Sequence, residues 1–400
     1  MGPGSATLRR VRSDKGSCLD GSPPAYYYRS GSAANSTKWL LYFQGGGWCT
    51  LSEKAWPNGY RPTLFDHCSH RAGTPRGSTW EDDPKRDFDE KSLFSRDPAL
   101  NPAMHDWNVV LLRYCDGASF AGHRLKAFKT TNATLHIRGF GNVQAILDDL
   151  IGKKGLSSAT DVVLAGCSAG GVSAPLQAGY VRSRLPKAFI AVLVDSGVFP
   201  DWSARSVGGD ALALDAAWRM DTQILEMFAL GSLELSGAVP APCLERHKNS
   251  PWRCAMLEYL LPFVAERFPT FVLQSRFDSS NIQSLASTAA VEAFGNTMEA
   301  KVRGMLELSA DSPWPIGVFL DGCFHHCTRW HEISIDGVTP AALFDRWLRD
   351  VSRPAHEAGS PDPAAYVHVE ASRRFPCERC CGASGQDVAQ WEAQFSDPSR

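Results

Sequence analysis

The sequence lacks an apolar run long enough to cross a membrane, and it lacks an excess of charge of either sign. Its longest wholly apolar stretches, such as residues 189–194, have the length of a strand, whereas a spanning helix needs about 18 residues. Lysine and arginine together number 41 and aspartate and glutamate 43, which gives a net charge of −2. Binding to nucleic acid or to an acidic membrane surface requires a basic excess. We therefore expect no nucleic-acid partner and no membrane span.

The amino terminus also lacks an apolar segment after its basic residues, so no signal peptide is recognisable in this sequence. Cysteine, in contrast, is not scarce, because 12 cysteines occur in turn-rich surroundings. Glycosylation sequons begin at Asn35 and Asn132. These features predict a secreted or cell-wall glycoprotein with several disulfide bonds, and the alternative is a cytosolic protein with scattered thiols. The expected pairs are Cys243–Cys254 and Cys49–Cys68.

Apolar strand-like runs alternate with segments that have helical spacing, which predicts an α/β fold. The runs are continuous rather than alternating, so we expect a mainly parallel central sheet with helices on both faces. The expected strands are 39–43, 108–113, 162–165, 189–194, 270–274 and 316–320, and the expected helices are 140–151, 169–185, 211–230, 285–305 and 340–350. Residues 57–106 are interpreted as long loops. We expect a flexible tail over 1–16, one catalytic domain over 17–351, and a linker with a cysteine-containing tail over 352–400.

The segment Gly166-Cys167-Ser168-Ala169-Gly170 is the only G-x-S-x-G motif in the chain. A predicted strand precedes it and a predicted helix follows it, as in the turn that presents a nucleophilic serine. Small neighbours are needed because the turn is sharp, and the helix amino terminus favours developing negative charge. The pattern predicts Ser168 as a nucleophile, and the alternative is a glycine-rich turn that only caps a helix.

Acyl transfer also needs donors for the oxyanion, a base and an acid. The N–H of Ala169 and a glycine-rich loop at 45–47, after the strand at 39–43, are suited to the oxyanion. A nucleotide loop is disfavoured because no lysine follows the glycines. The acid is expected after a late strand, where Asp278 is favoured, Asp195 is the rival and Asp321 is less suitable.

The histidine is expected after the last strand, and the residues alone do not distinguish His325 from His326. A zinc site is the competing interpretation of this region. Its ligands would be drawn from Cys323, His326, Cys327, His331, Cys377 and Cys380. Disulfide bonds fit the spacing of these cysteines better, so we expect neither a metal nor another cofactor.

Taken together, eight segments make the chain resemble the pectin acetylesterase family, which includes plant enzymes and the animal carboxylesterase Notum. They are residues 18–26, 45–49, 114–120, 138–140, 166–171, 195–199, 277–279 and 323–327. The resemblance implies an α/β-hydrolase fold with a triad of Ser168, Asp278 and His326. It also implies oxyanion donors at Gly46, Gly47 and Ala169.

The chain departs from the family at Gln44, where glutamate is usual, at His325, where a small residue is usual, and over residues 57–106. The third loop glycine resembles the plant branch, and the bulky Trp48 beside the loop is expected to contact substrate and to shorten the pocket. We therefore expect a secreted monomeric esterase that removes acetyl groups from cell-wall polysaccharide. The alternatives are a Notum-like carboxylesterase acting on a fatty acyl group and a catalytically silent polysaccharide-binding protein.

Overall fold

Buried apolar runs form the centre of a ten-stranded sheet in the computed structural model. The structure describes residues 5–32, 36–49, 66–89, 92–130, 132–201, 220–282, 288–327, 329–353 and 362–375. Its strands are β1 (Ser5–Arg10), β2 (Ala25–Arg29), β3 (Lys38–Phe43), β4 (Lys85–Asp87), β5 (Asn108–Leu112), β6 (Phe128–Lys129), β7 (Thr134–Leu135), β8 (Asp161–Cys167), β9 (Phe189–Asp195), β10 (Thr270–Ser275), β11 (Gly317–Asp321) and β12 (Val367–Val369). Its α-helices are α1 (Asp66–Ala72), α2 (Gly139–Lys153), α3 (Ala169–Arg184), α4 (Met220–Gly231), α5 (Ala241–Arg246), α6 (Leu257–Ala265), α7 (Thr288–Leu308) and α8 (Pro340–Val351).

The large sheet is mainly parallel, as the continuous apolar runs predict. Its strand order is β12-β11-β10-β9-β8-β3-β5-β2-β1-β4, and all neighbours from β12 to β5 pair in parallel. The pairs β5–β2, β2–β1 and β1–β4 are antiparallel. Strands β6 and β7 form a separate hairpin. All six predicted strands are confirmed, with small differences at their ends.

Both faces of the sheet are covered by apolar side chains. In β8, Val162 and Leu164 belong to one buried cluster with residues of α2, α3, α6 and α7, whereas Val163 and Ala165 belong to a second cluster with residues of α8. This alternation follows from the pleat of a strand, which directs successive side chains to opposite faces. No helix among the described residues is both long and apolar enough to cross a membrane.

The predicted helices are present wherever the structure describes the chain. Helix α2 covers the expected 140–151, α3 covers nearly all of 169–185, and α8 covers 340–350. For the other two predicted helices, residues 211–219 and 285–287 lie outside the described residues. Within the expected loops of residues 57–106, α1 and β4 are additional short elements, while residues 57–65, 90 and 91 also lie outside the described residues.

The prediction of a flexible tail over residues 1–16 is wrong for β1. This strand pairs with β2 on one side and β4 on the other, and Ala6 is fully buried. Arg9 forms an ion pair with the buried carboxylate of Asp149 on α2. The strand was missed because most of its side chains are polar, so it has no apolar run; its pairing partners supply the stabilisation.

The prediction of a linker and tail over residues 352–400 is also wrong in part. Strand β12 pairs with β11, and Phe375 is buried with its ring centroid 5.0 Å from Phe277 and 6.0 Å from Phe324. Short edge strands carry little sequence signal, because partner strands rather than local propensity stabilise them. The predicted cysteine cluster at 377–381 lies outside the described residues.

Every cysteine that the structure describes is in a disulfide bond. Both expected pairs, Cys49–Cys68 and Cys243–Cys254, are confirmed. Two further pairs, Cys18–Cys115 and Cys167–Cys327, join residues 97 and 160 positions apart. The Cys167–Cys327 bond, which spans 160 positions, restricts the unfolded chain and is expected to stabilise the fold by about 5 kcal/mol.

The burial of Phe375 leads to a prediction about stability. Phe375→Ala should lower the free energy of unfolding by about 3–5 kcal/mol, because it leaves a cavity between Phe277 and Phe324. Urea denaturation followed by tryptophan fluorescence measures the change. The matched control is Arg374→Ala, which removes an exposed neighbour and should change stability by less than about 0.5 kcal/mol. Equal denaturation midpoints for the two variants would contradict the packing of this segment.

Candidate active site

The carboxyl ends of the central strands meet at one edge of the sheet, where ligands of open α/β folds bind. The parallel register places Gly166 opposite both Phe43 and Val194, and Ser275 opposite Asp321. The segments that follow these strand ends include most of the predicted site residues. The register therefore brings together groups that are far apart in sequence.

Ser168 lies on a sharp turn between β8 and α3. Its φ of 59° is in the left-handed region, which is unusual for a residue with a side chain. A Cβ at Gly166 would overlap the carbonyl of Gly170, and a Cβ at Gly170 would overlap the carbonyl of Phe43. The Ser168 N–H donates to the Asp195 carbonyl at 3.0 Å. Glycine on either side of Ser168 is thus a steric requirement of the turn.

His326 is paired with Asp278. Its Nδ1 lies 2.8 Å from Oδ2 of Asp278, whose side chain is fully buried, while 19% of the His326 side chain is exposed. Ser168 and His326 line the same cavity. The three residues predicted as a triad are therefore assembled at one place, with Asp278 behind the imidazole.

The Asp278 carboxylate is held in its ionised form. Ser280 donates to Oδ1 from its N–H at 2.9 Å and from its hydroxyl at 2.7 Å, and Gln274 donates to Oδ2 at 3.1 Å. Burial raises the pKa of Asp278, but His326 and the Ser280 bonds outweigh burial and hold that pKa below its usual value. For His326, burial lowers the pKa, and the Asp278 carboxylate outweighs burial so that the pKa is raised.

The neighbouring candidates have different partners. His325 is buried, and its Nε2 lies 3.0 and 3.2 Å from the two oxygens of Asp321. The Asp321 carboxylate also accepts the Cys323 N–H at 2.9 Å. The Asp195 side chain accepts from the Ser196 hydroxyl at 3.0 Å. The geometry thus separates His325 from His326, which the residues alone did not.

Two buried side chains anchor the glycine-rich loop through its carbonyls. Arg71 donates to the Gly46 carbonyl at 2.9 Å and to the Gly47 carbonyl at 3.5 Å. The Tyr114 hydroxyl donates to the Gly47 carbonyl at 2.8 Å. The Arg71 guanidinium also lies over the Tyr114 ring, 5.2 Å from its centroid. Burial lowers the pKa of Arg71.

These anchors orient the N–H groups of the loop. In a trans peptide the carbonyl and the N–H point in opposite directions. Fixing the Gly46 and Gly47 carbonyls therefore turns the N–H groups of Gly47 and Trp48 away from Arg71 and Tyr114. Neither these two groups nor the N–H groups of Gly46 and Ala169 donate to any described residue. These N–H groups therefore have no acceptor among the described residues.

Gln44 supports the loop without a charge of its own. Its Oε1 accepts from Arg113 and, at 3.2 Å, from the Tyr114 N–H. Arg113 is neutralised by Asp82, to which it donates two hydrogen bonds of 2.7 Å. Because Asp82 supplies the negative charge, a neutral amide is sufficient at position 44.

Trp48 lies in the wall of a cavity of about 710 Å³ that opens at Ser168. Its ring is buried, packs edge-on against Phe199 with centroids 5.2 Å apart, and donates to the Ser119 hydroxyl at 2.7 Å. Other aromatic lining residues are Tyr42, Phe88 and Phe94. Charged lining residues are Arg76, Arg86, Asp87 and Asp89.

The cysteines beside this site are bonded to other cysteines. Cys327 is paired with Cys167, and Cys323 is also in a disulfide bond. The side-chain ligand atoms of Cys167, His326 and Cys327 lie within 4.8 Å of one another. Because both sulfur atoms of that cluster are used in the disulfide, neither offers the thiolate that zinc requires. Cys377 and Cys380 lie outside the described residues.

Several residues that shape the site were not predicted. They are Arg71, Tyr114, Ser196, Ser280 and the Cys167–Cys327 disulfide. Tyr114 and Ser196 occur in segments that resemble the pectin acetylesterases, and this resemblance is the sequence signal that could have identified them. Arg71 occurs in residues 57–106, where no pattern indicated a role.

Comparison with known structures identifies the fold. The chain matches the Wnt deacylase Notum from Drosophila with a TM-score of 0.73 at 21% identity, over 94% of this chain and 99% of that chain. The fold is therefore that of the α/β-hydrolases, and the glycine-rich loop and serine turn lie at the sheet edge where this fold carries its active site.

Sequence comparison identifies the family. The pectinacetylesterase family model matches residues 5–353, so the chain belongs to the pectinacetylesterase family and is a carboxylic ester hydrolase. It is 29% identical to pectin acetylesterase 7 of Arabidopsis thaliana over 341 residues, which are 80% of this chain and 78% of that protein. It is 26% identical to human palmitoleoyl-protein carboxylesterase NOTUM over 383 residues, 91% of this chain and 70% of that protein.

Proposed function

We propose that the protein is a secreted serine esterase that removes acetyl groups from cell-wall polysaccharide. Ser168 is the nucleophile, His326 the general base and Asp278 the acid that orients it. The observation that carries this proposal is the 2.8 Å contact between His326 Nδ1 and Asp278 Oδ2, behind a cavity that His326 shares with Ser168.

In the first step the Ser168 hydroxyl attacks the ester carbonyl carbon and transfers its proton to Nε2 of His326. Asp278 accepts the hydrogen bond from Nδ1, which keeps Nε2 free as the base and stabilises the imidazolium. The oxyanion is bound by the N–H groups of Ala169 and Gly47, with Gly46 or Trp48 as the third donor. The anchored Gly47 carbonyl favours Trp48 for this third position. Collapse of the intermediate breaks the bond to the sugar oxygen, which leaves as an alkoxide, takes the proton from His326 and departs as the sugar hydroxyl.

In the second step water hydrolyses the acyl-enzyme. His326 removes a proton from the water as it attacks the acyl carbonyl, and the same N–H groups bind the second oxyanion. Return of the proton to Ser168 releases acetate and restores the free enzyme. The scheme uses neither a metal nor another cofactor.

A polysaccharide substrate is supported by the family and by the composition of the cavity. Relatives of the chain include proteins named pectin acetylesterases. The residues that line the cavity include the aromatic Trp48 and Phe199 and the charged Arg76 and Asp87. Such a mixed surface suits a sugar, which has apolar faces and polar edges, better than an alkyl chain.

A fatty acyl substrate is the second candidate, because five aromatic side chains among the described residues line the cavity. They are Tyr42, Trp48, Phe88, Phe94 and Phe199. A relative is named as a palmitoleoyl-protein carboxylesterase. A long chain would need a continuous apolar tunnel, whereas the described part of this cavity is also lined by four charged residues. Substrate length therefore discriminates the two candidates.

Secretion is supported by the cysteines. All of those described are in disulfide bonds, which form and persist in oxidising compartments. Asn132, the first residue of one sequon, is exposed in the turn between β6 and β7, where a glycan would have room. Asn35, in the other sequon, lies outside the described residues.

The triad is tested by substitution. Ser168→Ala and His326→Ala should each lower kcat on p-nitrophenyl acetate by about 10³–10⁶-fold, because each removes a group that acts on the reacting atoms. The matched control is His325→Gln, which retains a donor for Asp321 and should cost far less. Circular dichroism verifies that all three variants fold. Activity retained by a folded Ser168→Ala protein would refute the serine mechanism, and a greater loss in His325→Gln would reassign the base.

The pH dependence follows from the pairing of His326 with Asp278. The base must be neutral, so kcat/KM should rise as pH increases through the pKa of His326, which the carboxylate holds above its ordinary value. Asp278→Asn removes this charge and should shift the rise toward acid while lowering kcat by about 10²–10⁴-fold. Rates measured from pH 4 to pH 9 give the midpoint of the pH profile and the limiting kcat of each protein (about five pH units bracket a histidine titration). An unchanged midpoint in Asp278→Asn would contradict the assignment of the acid.

Acyl preference separates acetyl from fatty acyl substrates. We expect kcat/KM to fall along the series p-nitrophenyl acetate, butyrate, octanoate and palmitate, because a short pocket leaves added methylenes in water or in steric conflict. An apolar tunnel would instead contribute up to about 0.8 kcal/mol per methylene, nearly fourfold in kcat/KM. Acetate release from acetylated pectin, xylan and chitin accompanies the series. A maximum at octanoate or beyond, with no acetate from any polysaccharide, would favour the fatty acyl substrate.

A further inference from the structure

One disulfide bond joins the two halves of the proposed catalytic machinery. Cys167 directly precedes Ser168, and Cys327 directly follows His326, although the two cysteines are 160 residues apart in sequence. Their Cα atoms lie 5.8 Å apart, and both residues line the cavity. The disulfide is thus a short covalent path between the backbone of the nucleophile and the backbone of the base.

The sheet itself does not place these two segments side by side. Strands β9 and β10 lie between β8, which leads to Ser168, and β11, which leads to the histidine loop. The histidine loop is held to the segment that contains the acid. The His326 imidazole is hydrogen-bonded to Asp278, and the Ser279 N–H donates to the His325 carbonyl at 3.1 Å. These bonds fix the base relative to the acid but not relative to the nucleophile.

The end of β9 completes the link on the nucleophile's side. The Ser168 N–H donates to the Asp195 carbonyl at 3.0 Å, and the Cys327 N–H donates to the Ser196 hydroxyl at 2.9 Å. Ser196 and Cys327 have φ values of 48° and 68°, a conformation that residues with side chains adopt only when their surroundings hold it. The disulfide is one of the restraints that hold Cys327, and with it the adjacent His326.

We propose that the Cys167–Cys327 disulfide is a positioning element for the reaction, which fixes His326 against Ser168, and that esterase activity requires it to be oxidised. This inference rests on the proposed function. Cys327 is partly exposed and the bond lies in the cavity wall, so a small reductant in solvent has access to it. Cutting the bond removes the covalent restraint between the histidine loop and the nucleophile and leaves the weaker hydrogen bonds at the end of β9, while the His326–Asp278 pair is retained.

The redox step is an ordinary thiol–disulfide exchange. A thiolate of dithiothreitol attacks one sulfur and the Cys167–Cys327 bond breaks, giving a mixed disulfide and one free protein thiol. The second thiol of the reagent then displaces the other protein sulfur. The products are two protein thiols and the cyclic oxidised reagent, a transfer of two electrons.

The test compares two disulfide-free variants. Cys167→Ala/Cys327→Ala removes the proposed positioning element, and Cys243→Ala/Cys254→Ala removes a disulfide whose cysteines do not line the cavity. Both are assayed on p-nitrophenyl acetate well below their melting temperatures. The first should lose about 10–100-fold in kcat with KM within about twofold, because a displacement of about 1 Å can cost 10²-fold. The control should stay within about twofold of the wild type in both constants.

A reductant experiment on the wild-type protein covers the case in which the first variant does not fold. Dithiothreitol is applied with EDTA, so that trace metal cannot bind the two new thiols beside His326 and imitate the effect. Alkylation and peptide mapping follow each disulfide separately. Activity, measured before the alkylating agent is added, should fall in parallel with reduction of the Cys167–Cys327 bond and return when unalkylated protein is reoxidised.

The outcomes separate this inference from the function on which it rests. An inactive wild type, or an active Ser168→Ala variant, would overturn both. If the wild type is active and Ser168→Ala is not, a folded Cys167→Ala/Cys327→Ala variant with a lower melting temperature but unchanged kcat would overturn the positioning role alone. Full activity after alkylation of both cysteines would do the same, because the disulfide would then only stabilise the fold.

Discussion

The turn from β8 into α3 passes so close to β3 that neighbouring backbone atoms occupy the space that side chains would need. A Cβ at Gly166, Gly170 or Gly45 would overlap a carbonyl of a neighbouring segment. This contact places Ser168 in its left-handed conformation, and it sets the glycine-rich loop against the same turn. The candidate nucleophile and the candidate oxyanion donors are thus fixed to each other by packed backbone, with no flexible side chain between them.

The remaining parts of the site are arranged around this contact by buried polar groups. Arg71 and Tyr114 donate hydrogen bonds to the carbonyls of the glycine-rich loop. The charge of Arg71 therefore lies on the side of the loop opposite the loop N–H groups. The Asp116 carboxylate lies nearby; burial raises its pKa to about 6, and Arg71 opposes that rise. A buried cation beneath an oxyanion site favours the negative charge that develops in acyl transfer. The same residue therefore fixes the loop and contributes to its electrostatic potential.

Sequence patterns predicted the features that local forces determine. The central strands were recognisable because both faces are buried, and the serine turn because its glycines and flanking elements are adjacent in sequence. Strands β1 and β12 were missed because neither contains an apolar run. Pairing with neighbouring strands stabilises them instead. Two disulfides between nearby cysteines were predicted, whereas Cys18–Cys115 and Cys167–Cys327 depend on the fold. The choice of His326 over His325 likewise depends on which side of the loop faces Asp278.

Two different parts of the chain form the cavity wall, and they affect substrate specificity differently. The candidate catalytic groups follow strand ends, whose positions are fixed by the sheet, whereas described residues between 76 and 94 supply much of the remaining wall, including Arg76, Phe88 and Phe94. This segment belongs to residues 57–106, which look unlike the plant enzymes in sequence. Changes in this segment alter the shape and charge of the cavity without moving the strand ends. We therefore expect substrate preference to depend more on the described residues between 76 and 94, such as Arg76 and Phe88, than on the strand ends.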